Sequence, residues 1–206
     1  MHAMEQMPPS QPKESEPKGK KSGRRLTKRA LRNQALHYLA RYAASRWRVG
    51  RFLRRRLDRA EAEGRADIGQ EEIAPLLDDL ARLGLIDDQA FAETKARSLA
   101  RRGLSARAIA ARLGEQGIEA ETAQLAIAAL DADLGDEEAR AWLYCKKRRL
   151  GPYRAGAERA ERRQRDLAAL GRRGFSYDIA RRVIDAACPP VRANHGASPE
   201  DDHHFD

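Results

Sequence analysis

The sequence predicts an all-α protein in which three tandem three-helix repeats stack into an elongated array. Across most of the 206 residues strand signals are nearly absent, because β-branched residues occur singly while Ala, Arg, Leu, Glu and Gln dominate. Glycine and proline residues divide this region into about nine short segments of helical character. A motif that recurs at a nearly constant offset groups these segments in threes.

The two ends of the chain have the composition of disordered segments. Residues 1–26 contain four prolines among basic and polar side chains, and they cannot bury enough apolar surface to offset the entropy of ordering. We therefore expect a disordered basic arm there. Pro189 and Pro190 are expected to end the last helix, and residues 189–206 are predicted to form a disordered tail. The fold is expected between residues 27 and 188.

Local signals define several helices between these limits. Ser105 is a predicted N-cap of a helix that stops at Gly117, and Asp136, followed by two glutamates, is expected just before another helix. The clearest helix covers residues 70–84 and ends at Gly84. Its apolar residues have the i, i+3, i+4, i+7 spacing of one buried face: Ile73, Leu76, Leu77, Leu80 and Leu83.

A Leu-Gly-x-x-Gly turn carries the internal repeat. It occurs at residues 113–118 and again at 170–175, an offset of 57, and an isoleucine follows nine residues after each copy. Upstream, Ser45 matches Ser105 at an offset of 60. Each repeat is too small for an independent core of useful size, so neighbours are expected to share apolar faces. The predicted repeats cover residues 27–86, 87–134 and 135–188.

Charge alternates along the chain in phase with these repeats. The chain carries 40 Lys and Arg against 31 Asp and Glu, a net charge of +9 that favours an anionic partner. Residues 31–66 hold ten arginines and three acidic residues, whereas residues 67–93 hold eight acidic residues and one arginine. The alternation continues through the second repeat, so stacked repeats are expected to present a basic stripe and a separate acidic stripe.

Several function classes lack their usual signals. No stretch approaches the roughly 20 apolar residues of a membrane span, and no apolar signal segment is present, so we expect a cytoplasmic protein. Neither common glycine-rich phosphate loop occurs. Cys145 and Cys188 are predicted to be small apolar side chains, and His203 and His204 lie in the predicted tail, a poor place for a metal site. We predict no enzyme activity, no cofactor and no metal.

Two groups of residues have both a structural and a functional interpretation. The pairs Asp78-Asp79 and Asp87-Asp88 could serve acid–base chemistry, but we favour helix capping for them. Five aromatic residues could stack on nucleic-acid bases, although their spacing among Leu, Val and Ile favours core packing. These aromatic residues are Trp47, Phe52, Phe91, Trp142 and Phe175.

Four segments, in order, resemble the bacterial RecX regulatory proteins. Residues 80–93 (LARLGLIDDQAFAE) resemble that family's signature, in which a Leu-rich helix ends at Gly and an aliphatic-Asp-Asp-x-x-Phe-Ala run opens the second repeat. Residues 101–118 (RRGLSARAIAARLGEQGI) are similar to the family's next block. Residues 36–46 and 172–179 are similar to matching parts of its first and last repeats.

The resemblance implies a non-enzymatic modulator of the RecA recombinase, folded as a curved, elongated array of three repeats. Proteins of this family lodge in the helical groove of the RecA–DNA filament and restrain its ATP hydrolysis, strand exchange and co-protease activity. The implied partner is this filament, with only weak, unselective contact to DNA, no membrane, and a monomeric protein. The alternative is a stand-alone helix-turn-helix-like DNA-binding or RNA-binding protein, because short helices joined by Gly turns can mimic that motif.

Basic side chains at the matched positions are our candidates for contacts with the filament. Such clusters support salt-dependent contacts to phosphate or to acidic protein surface. The candidate contact residues are Arg41, Arg46, Arg101, Arg102, Arg107, Lys146, Lys147, Arg172 and Arg173.

Overall fold

The computed structural model describes residues 24–190, apart from the side chains of residues 132, 133 and 157. Within this part of the chain the regular structure is nine α-helices and two short 3₁₀ segments, which confirms the all-α prediction and the number of helices. The helices are α1 (Lys28–Leu39), α2 (Arg46–Ala62), α3 (Ile73–Arg82), α4 (Asp88–Arg101), α5 (Ala106–Gly114), α6 (Ala120–Leu134), α7 (Glu137–Arg148), α8 (Gly156–Arg172) and α9 (Tyr177–Asp185).

The helices group into three units, each with its own hydrophobic core: unit 1 (α1–α3), unit 2 (α4–α6) and unit 3 (α7–α9). This grouping confirms the three-helix repeat. The expectation that neighbouring repeats share apolar faces is wrong, because the buried residues form three separate clusters, one in each unit. Buried residues from all three helices meet in each core: Leu31, Leu53 and Leu80 in unit 1, Ala96, Ile109 and Leu130 in unit 2, and Cys145, Leu170 and Ile184 in unit 3. The domain boundaries after residues 86 and 134 remain a proposal.

Side-chain caps fix where most of these helices begin. Ser105 and Asp136 cap α5 and α7 as predicted. The predicted helix over residues 70–84 begins as a 3₁₀ segment at Gln70–Glu72, continues as α3, and ends before Gly84, whose φ of 68° favours glycine. In six of the nine helices described, an N-cap oxygen accepts the N–H three residues on: Thr27, Ser45, Asp87, Ser105, Asp136 and Ser176.

The packed chain begins slightly earlier than the sequence suggests. Leu26, placed in the disordered arm, is 5% exposed and belongs to the unit 1 core. Its N–H donates to the Arg65 carbonyl at 2.8 Å, and its own carbonyl accepts from the Asp67 N–H at 3.1 Å. The rest of the predicted arm (residues 1–23), and the predicted tail from residue 191 on with His203 and His204, lie outside the described residues.

The two acidic pairs have different roles. Asp87 caps α4, as predicted. For Asp78 and Asp79 the capping prediction is wrong, because both lie in the second half of α3 rather than at its start. They form ion pairs instead, Asp78 with Arg46 and Asp79 with Arg82, each at 2.5 Å.

The aromatic residues largely follow the core-packing prediction, with one exception. Phe175 is 3% exposed, and three others are half-buried against the cores of their units: Phe52, Phe91 and Trp142. Trp47 departs from the prediction because 39% of its surface is exposed at the start of α2.

The two cysteines differ in their exposure to solvent. Cys145 is buried, as predicted for a small apolar side chain, whereas Cys188 is exposed just after α9. Among the described helices, none has the length and apolar character needed to cross a membrane.

Candidate partner-binding surface

The first junction, between units 1 and 2, is made by the N-terminus of α2. The Ser45 hydroxyl is fully buried and donates to the Gln116 carbonyl at 2.5 Å. The next backbone N–H, of Arg46, donates to an Asp88 carboxylate oxygen at 2.7 Å. Unit 2 therefore holds the start of α2 with its α5–α6 turn and with the acidic start of α4.

The second junction, between units 2 and 3, repeats this arrangement one unit later. Ser105, again fully buried, donates its backbone N–H to the Arg173 carbonyl at 3.0 Å. The N–H of Ala106 donates to a Glu137 carboxylate oxygen at 3.2 Å. The N-terminus of α5 is thus held by the α8–α9 turn and by the acidic start of α7.

Glycine is required in the turn of each junction. Gly117 and Gly174 have φ values of 72° and 91°, a backbone conformation that side chains disfavour. A Cβ on Gly117 would lie within 3.0 Å of the Trp47 side chain, and one on Gly174 within 3.0 Å of the Ser105 hydroxyl. The repeated Leu-Gly-x-x-Gly turn therefore marks the place where one unit packs against the unit before it.

The second junction gathers most of the candidate contact residues. Gly103, which follows Arg102, has a φ of 78°, and a Cβ there would lie 2.6 Å from Tyr144 Cδ2. The Arg173 guanidinium lies 5.1 Å from the centre of the Tyr144 ring. Seven of the nine candidates lie within three residues of the contact residues Gly103, Ser105, Tyr144 and Arg173: Arg101, Arg102, Arg107, Lys146, Lys147, Arg172 and Arg173.

Six of these seven side chains are free to meet a partner. All except Arg173 are exposed, and none of the six has an ion pair within residues 24–190. Arg173 is half-buried against Tyr144 and contributes its backbone to the junction. Unpaired cations at several helix ends create a positive potential suited to phosphate or carboxylate groups.

The other two candidates belong to the first junction and differ from each other. Arg41 is exposed in the loop between α1 and α2, and no acidic partner is present among the residues described. Arg46 is half-buried, and its guanidinium pairs with Asp78 at 2.5 Å while its N–H bonds to Asp88. Arg46 is therefore a structural residue of the junction rather than a free contact.

The structure also exposes a basic surface on α2 that the candidate set omits. The signal was present in the sequence as arginines at three- and four-residue spacing, which places them on neighbouring turns of one helix. These exposed side chains, unpaired with any acidic residue in the described part of the chain, are Arg48, Arg51, Arg54, Arg55 and Arg56.

Cys145 lies in the unit 3 core, behind the surface of the second junction. Burial, followed by the nearby Asp166 charge, raises the pKa of the Cys145 thiol to about 12. That thiol stays protonated at neutral pH and is not an activated nucleophile. Within residues 24–190 no group of three or more His, Cys, Asp or Glu side chains is arranged to hold a metal ion.

Comparisons with known proteins point to one family. A family model described as the second three-helix domain of RecX matches residues 87–127. The "Regulatory protein RecX" of Myxococcus xanthus is 40% identical over 139 residues, which cover 66% of this chain and 74% of that protein. The protein of the same name from Corynebacterium efficiens is 34% identical over 145 residues, covering 65% of this chain and 68% of the relative.

A solved structure is similar in fold. The crystal structure of RecX from Lactobacillus salivarius aligns with a TM-score of 0.58 at 22% sequence identity. The alignment covers 78% of this chain and 96% of that one. The structural similarity therefore extends well beyond residues 87–127, the segment that the family model matches.

Proposed function

This chain belongs to the RecX family of regulatory proteins, and we propose that it binds the RecA–DNA filament and modulates it, mainly by inhibition of its ATPase, strand-exchange and co-protease activities. In this proposal the partner is the RecA filament, and the chain acts on it without catalysis. The protein takes part in DNA repair and the SOS response, and it is a cytoplasmic monomer. The relatives are named regulatory proteins, which supports a regulatory role for this chain.

The observation that carries the proposal is the cluster of unpaired cations at the second junction. Arg102, Arg107 and Lys147 extend from three helices whose ends are held together by the fixed contacts of Ser105 and Tyr144. A rigid array of such cations suits a large and repetitive anionic surface better than a small ligand, because several weak contacts add when their spacing is fixed. A nucleoprotein filament is a partner of that kind.

The test is a titration of the purified protein into RecA that hydrolyses ATP on single-stranded DNA. We expect hydrolysis to fall as the protein is added, and we expect the triple variant Arg102→Glu, Arg107→Glu, Lys147→Glu to inhibit at least tenfold less per molecule. Each reversal removes one attraction and adds one repulsion at the contact, effects that reach this size when a few charges act together. Arg173 is left intact because it supports the junction itself.

A matched control reverses three exposed arginines, one just before α1 and one on each of α1 and α8: Arg24→Glu, Arg29→Glu and Arg165→Glu. This variant has the same net charge as the triple variant, so inhibition should persist if position matters more than total charge. No inhibition by the wild type at stoichiometric amounts would refute the proposal. Sequence-selective duplex binding without RecA would favour the helix-turn-helix alternative instead.

A further inference from the structure

A groove on unit 1, which we name the unit 1 groove, combines aromatic rings with arginines. Its main cavity, about 640 Å³, lies between α1 and α2. A second cavity of about 270 Å³ shares two lining residues with it, and a third of about 390 Å³ shares two others, so the three form one continuous surface. The residues that define the groove are Gln34, Tyr38, Tyr42, Trp47, Phe52 and Arg56.

The aromatic rings form a partly open platform along the groove. Tyr38 stacks on Phe52 with ring centres 4.5 Å apart and an interplanar angle of 19°. Tyr42 lies beside Tyr38 with ring centres 5.3 Å apart, its ring tilted by 46°, and it is 57% exposed. Trp47 lies at the other end and is 39% exposed. Exposed rings in a row are costly to leave in water, and they provide flat faces for other planar groups.

Arginines lie beside these rings rather than beside acids. The Arg51 guanidinium is 5.2 Å from the Trp47 ring centre, and that of Arg56 is 5.2 Å from the Phe52 ring centre. Neither arginine has an ion pair within the described residues, and Arg55 between them is also unpaired and exposed. The acidic residue that lines the groove, Glu115, is already paired with Arg112 at 2.9 Å. Positive charge therefore stays available along the whole platform.

One buried polar atom in the groove also lacks a partner. The Gln34 side-chain oxygen, on the wall shared by the first and third cavities, is buried without a hydrogen-bond donor among residues 24–190. Such an atom is unfavourable unless a donor reaches it.

We propose that the unit 1 groove binds single-stranded nucleic acid, with bases stacked on Tyr42 and Trp47 and phosphates paired with Arg51, Arg55 and Arg56. An acidic peptide would use the arginines but not the rings. A duplex would present phosphates but keep its bases stacked on one another, away from the platform. The inference goes beyond the proposed function, since this binding requires no RecA.

The experiment measures fluorescence anisotropy of labelled single strands with the full chain and without RecA. The probes are oligo-dT, oligo-U and a duplex of the same length, which separate DNA, RNA and double-stranded binding, and unlabelled poly-glutamate serves as a competitor. We expect single strands to bind at least tenfold more tightly than the duplex, and poly-glutamate to compete poorly. A duplex bound as tightly as the single strand would overturn the proposal.

Two variants separate stacking from charge. Tyr42→Ala should weaken single-strand binding about five- to tenfold, a typical loss for one stacked base. Arg51→Gln with Arg55→Gln should weaken it as well and reduce the slope of log affinity against log salt by about 1.4, the value for two phosphate contacts on a single strand. Unchanged affinity in Tyr42→Ala would overturn the proposal, and far-UV circular dichroism of this surface variant verifies its fold.

Controls come from the same chain. Tyr177→Ala removes a tyrosine that is 63% exposed but lies on α9, far in sequence from the groove, and should leave affinity unchanged. In a Trp142→Phe background, single strands should quench the remaining Trp47 fluorescence, and absence of quenching would contradict stacking there. If Tyr42→Ala loses single-strand binding but still inhibits RecA, the groove and the proposed function are separate properties.

Discussion

Asp166 illustrates how a single side chain can organise a whole turn. It is 1% exposed on α8 and accepts the Gly151 N–H and two guanidinium N–H groups of Arg154, all at 2.8 Å. Burial opposes ionisation of this carboxyl, but the bonds from Arg154 and Gly151 outweigh it, so its pKa lies below the usual value. The carboxylate thereby fixes the segment between α7 and α8 against the helix that follows.

Replacement of this carboxylate should destabilise the protein in a pH-dependent way. Asp166→Ala leaves the Gly151 N–H without an acceptor and leaves the Arg154 guanidinium only Glu158, at 4.0 Å. We therefore expect a loss of about 3 kcal/mol in the free energy of unfolding at pH 7. Because the folded pKa is below that of the unfolded chain, the contribution is present above about pH 4 and is lost as pH falls through the folded pKa. Urea denaturation followed by circular dichroism at several pH values measures both effects.

Asp178→Ala is the control for this change. Asp178 is an exposed acid in the first turn of α9, without an ion pair in the part of the chain described, and its removal should cost only a few tenths of a kcal/mol. A gap between wild type and Asp166→Ala that stays constant down to pH 3 would contradict the assigned role. The sequence does not reveal the role of Asp166, because its partner Arg154 lies 12 residues away among many equivalent arginines.

The junction between units is where two sequence motifs become one structural feature. The sequence predicts the glycine turn and the serine cap as separate repeats, with offsets of 57 and 60. In the fold each serine meets the glycine turn of the following unit: Ser45 lies against Gln116, and Ser105 against Gly174. Local patterns predict the caps and the turns, but not this pairing, because the partners are about 70 residues apart in sequence.

Alanine at Gly174 tests the junction. The variant Gly174→Ala meets a positive φ, which costs about 1–2 kcal/mol for a side chain, and also displaces Ser105. The matched control is Gly84→Ala, which has a φ of 68° but no atom within 4 Å of the added Cβ. We expect a clearly larger drop in melting temperature for Gly174→Ala. Equal drops at the two positions would show that the contact between units 2 and 3 adds nothing.

Across the whole molecule, some acidic residues have a structural role that the sequence does not show. The predicted basic and acidic stripes remain a prediction, but part of the acidic charge has a clear structural use. Asp88 and Glu137, each at the start of a unit, accept N–H groups from the preceding unit. Sequence alone counts such residues as surface charge, since nothing local shows that a helix terminus will face them.

The two ends of the array differ from its internal junctions, and we expect a monomer. At one end Leu26 covers the edge of unit 1. At the other, the N-cap of α8 is Ala155, so unit 3 lacks the hydroxyl that Ser45 and Ser105 provide. Size-exclusion chromatography with light scattering should give 23.1 kDa at all accessible concentrations. A mass that rises toward that of a dimer would contradict this expectation.

The variant Leu26→Asp should promote association, because it uncovers an apolar edge of unit 1.

Ala155 also bears on how such a chain could lengthen by duplication. A copy of the third repeat inserted after residue 188 would supply a second glycine turn, and the start of α8 would meet it with the methyl side chain of Ala155. The hydroxyl bond that Ser45 makes to the Gln116 carbonyl could not form at such a junction. Because the stability of a repeat array depends on the contacts between neighbouring units, a fourth repeat joined in this way would be held less firmly than the second one is.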